Sequence, residues 1–122
     1  MATQTTSYGL AQETAPYGDI VAGDFPLVTE PILLGAGSGT LARGTVLGKI
    51  TATGKYVPYD DDGTDDGRRV ALRILAEPAT LDGTDDTVGV AFRTGMFKAS
   101  ALAGLDSNAR ADLDAQLIFV RD

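Results

Sequence analysis

The sequence predicts a mainly β fold of the β-rich α+β class: a small antiparallel sheet or barrel-like domain, one short C-terminal helix and a flexible N-terminal arm. Three observations carry this expectation. Apolar residues alternate at period two along residues 69–75 and 87–93. Clusters of Gly, Asp and Thr separate these runs and supply turn chemistry. Only one stretch, near residues 106–117, repeats apolar residues at helical spacing.

The elements follow in order. Residues 1–20 are rich in Thr, Gln and Ser, with Tyr8, Leu10, Pro16, Tyr17 and Ile20 scattered at no period. Such a segment cannot bury enough apolar area to offset its ordering entropy, so it is expected to be an arm ordered only by a partner. Residues 21–122 are expected to form one domain, since the whole chain of 122 residues has the length of an ordinary single domain. Ile32, Leu33 and Leu34 make a short strand, and the glycines from Gly35 to Gly39 mark the loop after it. The β-rich runs 44–51 and 55–59 flank Ala52, Thr53 and Gly54, a hairpin whose last loop residue requires positive φ. Pro58 lacks an N–H and belongs at a strand end or edge. The next strand puts Val70, Leu72 and Ile74 on one face, and the following one groups Val88, Val90 and Phe92. Asp106 or Ser107 caps the helix, whose apolar face carries Ala109, Leu113 and Leu117. A last strand covers residues 117–120.

Composition narrows function. The chain has no histidine and no cysteine. It therefore lacks the usual proton shuttle near neutral pH, the thiolate nucleophile and the two side chains that hold most structural zinc. Seventeen acidic residues against ten basic ones give a net charge of −7, which disfavours non-specific nucleic-acid binding. No apolar run approaches the length of a membrane span. The first residues carry no basic cluster followed by an apolar core, so synthesis in the cytoplasm without a signal peptide is expected.

The candidate motifs reduce to turns. The run from Gly35 to Thr40 has Thr40 where a dinucleotide fingerprint needs its third glycine, and no long helix follows. The run from Asp60 to Gly67 has the composition of a calcium loop. With Gly67 at position six, however, position twelve is Arg73 and not the bidentate Glu. The string Asp-Gly-Thr-Asp-Asp occurs at 62–66 and again at 82–86, each time between predicted strands, where Asp and Gly make turns. Arg68, Arg69, Arg73 and Arg93 are expected to be solvated or paired with the surplus carboxylates. Ser100 or Ser107 with Lys98 forms no nucleophile elbow. The expectation is a protein with no catalytic residue, no cofactor and no metal site, working through its surfaces.

One resemblance goes further. In order come Lys55-Tyr56-Val57-Pro58-Tyr59, an Asp/Gly/Thr loop, Val70 to Ala76, a second strand, and Thr94-Gly95-Met96-Phe97. A short helix and Ile118-Phe119-Val120 complete the series. Over residues 44–122 this resembles the head decoration proteins of tailed bacteriophages, the lambda head protein D group. The resemblance implies a β-rich homotrimer on the outer surface of the virion. It would sit at threefold and quasi-threefold positions of the expanded capsid, cementing the major capsid protein against the pressure of packaged DNA. It further implies an N-terminal arm that orders on the capsid by strand addition. Here that arm is residues 1–20, with Thr3, Thr5, Thr6, Tyr8 and Leu10 as candidate contacts. Neither a membrane nor direct nucleic-acid contact is implied. Val57, Tyr59, Leu75 and Phe97 are candidates for the trimer interface, because strands apolar on both faces need two covers. The competing reading is a small β-rich module of a particle surface that binds a receptor or glycan.

Overall fold

The computed structural model describes residues 20–23 and 25–122. Its strands are β1 (Val28–Leu34), β2 (Thr40–Leu41), β3 (Val46–Lys49), β4 (Tyr56–Pro58), β5 (Arg73–Leu75), β6 (Ala79–Thr80), β7 (Thr87–Lys98) and β8 (Ile118–Arg121). A 3-10 turn at Ala99–Ala101 and one helix, α1 (Ser107–Asp114), separate β7 from β8.

Strands β1, β4, β3, β5 and β7 pair in that order, and β7 pairs back with β1, so five strands close into a barrel. β8 continues the sheet from β7, while β2 and β6 form a separate two-stranded ribbon. The expected antiparallel sheet is therefore mixed: β1–β4 and β7–β8 are parallel and the other pairs antiparallel. The parallel β7–β8 pair follows from connectivity, because α1 is the crossover that such a pair requires.

Two apolar cores result. Ile32, Leu34, Leu47, Tyr56, Leu75 and Ala91 fill the barrel. Val46, Ile74, Phe92 and Phe97 meet a second layer made by Ala109 and Leu113 of α1, Ile118 of β8, Tyr59 and Ile20. Ile20 is fully buried there and Val21 bridges Phe97, so the folded unit includes a residue that the sequence reading gave to the arm.

Strands covered on both sides do not show simple alternation, and two expected faces change. β5 is only three residues long; Val70 precedes it and is 46% exposed, whereas Arg73 is buried. In β7 the side toward the barrel carries Gly89 and Ala91, and Val88 is 74% exposed. Gly89 is small of necessity: a Cβ there would lie 2.9 Å from Leu34 Cδ1. The hairpin between β3 and β4 forms with Gly54 at φ 76°. Pro58 ends β4, as expected of a residue that cannot donate to a ladder. Leu117 does not extend the helical face. It sits beyond the end of α1 at φ 64°, 53% exposed, and turns the chain into β8.

Gly95 is the point at which β7 changes partners. Thr94 pairs with Val28 of β1, and Gly95 pairs with Ile118 of β8. Its φ is 154°, and a Cβ would lie 2.6 Å from Phe97 Cζ and 2.8 Å from Leu27 Cδ1. The Gly95→Ala variant should lose about 2 kcal/mol or more of stability, read as a lower midpoint of urea unfolding, because backbone strain and overpacking act together.

Candidate functional site: an uncovered barrel face

The second layer is fastened by side chains that a purely apolar reading would call surface residues. Asp106 caps α1 by accepting from Ala109 N at 2.7 Å, and the same carboxylate accepts from the Tyr59 hydroxyl at 2.9 Å. Asp112 accepts from Ala71 N at 3.1 Å, which ties the middle of the helix to the segment before β5. Burial of the Tyr59 phenol, helped by the hydrogen bond to Asp106, pushes its pKa well above the ordinary value near 10. At one end of the barrel Arg73 Nε donates to Glu30 Oε2 at 2.8 Å. Its Nη1 donates to the Leu72 carbonyl at 2.7 Å and to Gln116 Oε1 at 3.2 Å. Arg93 stands 3.8 Å from the other oxygen of Glu30.

The Asp-rich loops are turns built from their own carboxylates. Asp82 accepts from the N–H groups of Thr84 and Asp85, which hold its pKa below the ordinary value. Asp60 accepts from Asp62 N at 3.1 Å. Hydrogen bonding to Arg68 lowers the Asp66 pKa, and their ion pair measures 2.8 Å. Arg69 donates to the Gly63 carbonyl at 2.9 Å. The acidic surplus is thus spread through loops with local structural tasks. Among the described residues no group of three or more Asp and Glu side chains is placed to hold a metal ion.

The layer of α1, β8 and residues 20–22 leaves the outer face of β1, β4 and the first half of β7 uncovered. Leu33 and Val88 are cross-strand partners on that face, 40% and 74% exposed. Val57 of β4 is half-buried and stands opposite Gly35 in the parallel β1–β4 register, where a Cβ on Gly35 would be 3.4 Å from Val57 Cγ1; Lys55 stands opposite Leu33. Next to Val57 is a groove of about 460 Å3 lined by Ala36, Leu41, Ile50, Val57, Pro58 and Leu81. The two cations at its rim are already paired: Lys55 with Asp86 at 2.8 Å and Arg68 with Asp66. A second groove, about 640 Å3, runs between α1 and β8 and is lined by charged Arg110, Asp114 and Arg121 as well as Phe119. The uncovered face offers apolar contact beside ion pairs satisfied within the chain.

The model of one protein family, bacteriophage lambda head decoration protein D, matches residues 11–118. The chain belongs to this family. No curated protein matches it. Membership implies a component of the phage head that binds the capsid, in agreement with the resemblance drawn over residues 44–122. It also gives physical meaning to the Gly-x-Phe of that resemblance. In this decoration protein Gly95 is the pivot of β7, and Phe97 packs on Phe92 with ring centroids 4.8 Å apart.

The structure separates the four interface candidates. Leu75 lies in the barrel core and Phe97 in the second core, both fully buried. Tyr59 is also buried and commits its hydroxyl to Asp106. The apolar area of these three is consumed within the chain. Val57 alone retains exposure, and it sits on the uncovered face. Period two identified them as two-sided without revealing that α1 and Ile20 supply the second cover. Leu33 lies in the continuous apolar run 32–34 and Val88 in the alternation of 87–93, and neither pattern distinguishes an exposed position from a covered one. The arm candidates Thr3, Thr5, Thr6, Tyr8 and Leu10 lie outside the described residues.

Two measurements check this division. Phe97→Ala should cost about 3–5 kcal/mol in denaturant unfolding, while Val57→Ala costs under about 1 kcal/mol. The raised Tyr59 pKa means that its contribution to stability is fully present below pH 10 and declines as the pH rises above it. The wild-type unfolding midpoint should therefore fall between pH 10 and 12, and Tyr59→Phe should flatten that fall.

Proposed function

We propose that this member of the decoration family is a cement protein. It binds the expanded phage head from outside as a homotrimer at threefold and quasi-threefold positions. There it clamps neighbouring major capsid subunits against the pressure of packaged DNA. It acts through contact alone, without catalysis. The observation that carries this reading is the family match over residues 11–118, supported by a barrel with one face left uncovered. The net charge of −7 suits a surface turned to solvent, away from nucleic acid.

In this reading residues 1–19 form the capsid-binding arm, with Thr3, Thr5, Thr6, Tyr8 and Leu10 among its contacts. The first described residues already behave as an added strand. Ala22 N donates to the Met96 carbonyl at 2.8 Å, and Lys98 N donates to the Ile20 carbonyl at 2.8 Å, along one edge of β7. Strand addition draws affinity from main-chain groups, so a polar arm of low complexity is adequate. One arm pays the entropy of its own ordering and binds weakly; three arms on one trimer engage at high effective concentration. Contacts that span subunits only in their mature positions stabilise the expanded lattice by linkage.

Removing residues 1–19 tests the arm while sparing Ile20. The truncated chain should melt close to the full chain and lose co-sedimentation with expanded heads. Unchanged binding of the truncated chain would exclude the arm mechanism. Equal binding of the full chain to unexpanded heads would exclude selectivity for the mature lattice.

A further inference from the structure

We propose that Met96 is an oxidation-sensitive fastener: conversion of its thioether to the sulfoxide by a peroxide releases residues 20–23 from the edge of β7. The inference concerns the folded chain itself and does not depend on the capsid reading above.

Met96 holds residues 20–23 twice. Its carbonyl accepts from Ala22 N at 2.8 Å. Its side chain lies against the backbone of Gly23, where a Cβ would overlap Sδ and stand 3.4 Å from Cγ. The other ties of this segment are the bond from Lys98 N to the Ile20 carbonyl at 2.8 Å, the Val21–Phe97 bridge and the buried Ile20 side chain. Beside it Phe25 packs edge-on against Phe119, with ring centroids 4.9 Å apart, and Phe119 is the β8 partner of Met96. Met96 therefore stands where residues 20–23, β7 and β8 meet.

Its setting also makes it reactive. Neighbouring Phe97 is fully buried, whereas Met96 is half-buried and lines the groove of about 640 Å3 between α1 and β8, which admits a small oxidant. It is the only methionine among the described residues, and the chain has no cysteine to compete for the oxidant. In the reaction the sulfur lone pair attacks one oxygen of hydrogen peroxide. An S–O bond forms as the O–O bond breaks, and sulfur is oxidised by two electrons. The proton on the transferred oxygen passes to the leaving hydroxide, which departs as water. A flexible apolar side chain thereby becomes a polar one. The new oxygen demands hydrogen-bond partners, which the groove supplies through water and the donors of Ser107 and Arg110. Turning into the groove takes the side chain off Gly23 and leaves a short segment with few ties, the kind that opens locally.

The test treats the full chain with hydrogen peroxide, maps the added oxygen by peptide mass spectrometry and follows amide hydrogen exchange. Met96→Leu keeps the volume without the sulfur and is treated alongside, which accounts for oxidation of Met1. Met96→Gln, untreated, supplies a polar side chain of similar length. In the folded wild type Met96 should gain one oxygen, and exchange at Ala22 and Lys98 should quicken about tenfold. The Leu72 amide, which donates to the Leu47 carbonyl at 2.8 Å, should keep its protection, as should every site of treated Met96→Leu. Met96→Gln should show the faster exchange at Ala22 and Lys98 without peroxide, and a methionine sulfoxide reductase should restore protection to the oxidised wild type. The inference is overturned if Met96 stays unoxidised while the chain is folded, or if it is oxidised and Ala22 and Lys98 exchange as before. Equal loss of protection at Leu72 would mean global unfolding and would also overturn it.

Discussion

The structure depends on β7 serving two packing layers at once. Its twelve residues close the barrel against β1 and β5 along the first part, then leave it to pair with β8. Residues 20–22 run along the other edge of that second part. Between Gly89 and Phe97 much of this strand is covered on both faces, which shapes its composition, while Val88 near its start is exposed. Small Gly89 and Ala91 face the crowded barrel interior, and large Phe92 and Phe97 face the layer of α1. Gly95 permits the change of partner, since no side chain fits between Phe97 and Leu27.

Polar chemistry also fixes this small barrel. Arg73 occupies a position of β5 that burial would otherwise assign to an apolar residue, and Glu30 of β1 meets it with a 2.8 Å ion pair. Arg73 is the buried member and Glu30 is partly exposed, so removing Glu30 would leave a buried guanidinium without its ion-pair partner. The Gln116 contact extends the arrangement to the turn between α1 and β8. Asp106 and Asp112 add two further polar ties between α1 and the barrel side. The short helix therefore keeps its place through directional bonds as well as through Ala109 and Leu113.

These constraints leave exposed apolar side chains at several places, Leu33 and Val88 on the barrel, Val70 before β5 and Leu117 before β8. The two cores absorb most of the large apolar residues, and the acidic surplus is distributed through turns. For a protein of the phage-head decoration family, this is a suitable division of labour. The barrel fixes geometry, and a net charge of −7 disfavours non-specific association.

Local signals determined much of this protein in advance. The β-rich class, the hairpin with its left-handed Gly54, a helix cap at Asp106 or Ser107 and the short terminal strand all follow from period, turn residues and capping, which act over a few neighbours. The family resemblance was legible in the same way, from the order of short pieces ending in Gly95-Met96-Phe97. Tertiary structure alone decided which side of each strand would be free. Val70 and Val88 alternate as well as Ile74 and Phe92 do, but the cover provided by α1, β8 and Ile20 reaches only the latter pair. Nor could period reveal that Arg73 would be buried against Glu30, 43 residues away in the chain. Alternation records that a strand has two faces; what comes to lie over each face depends on barrel closure, a long-range event that no local spacing encodes.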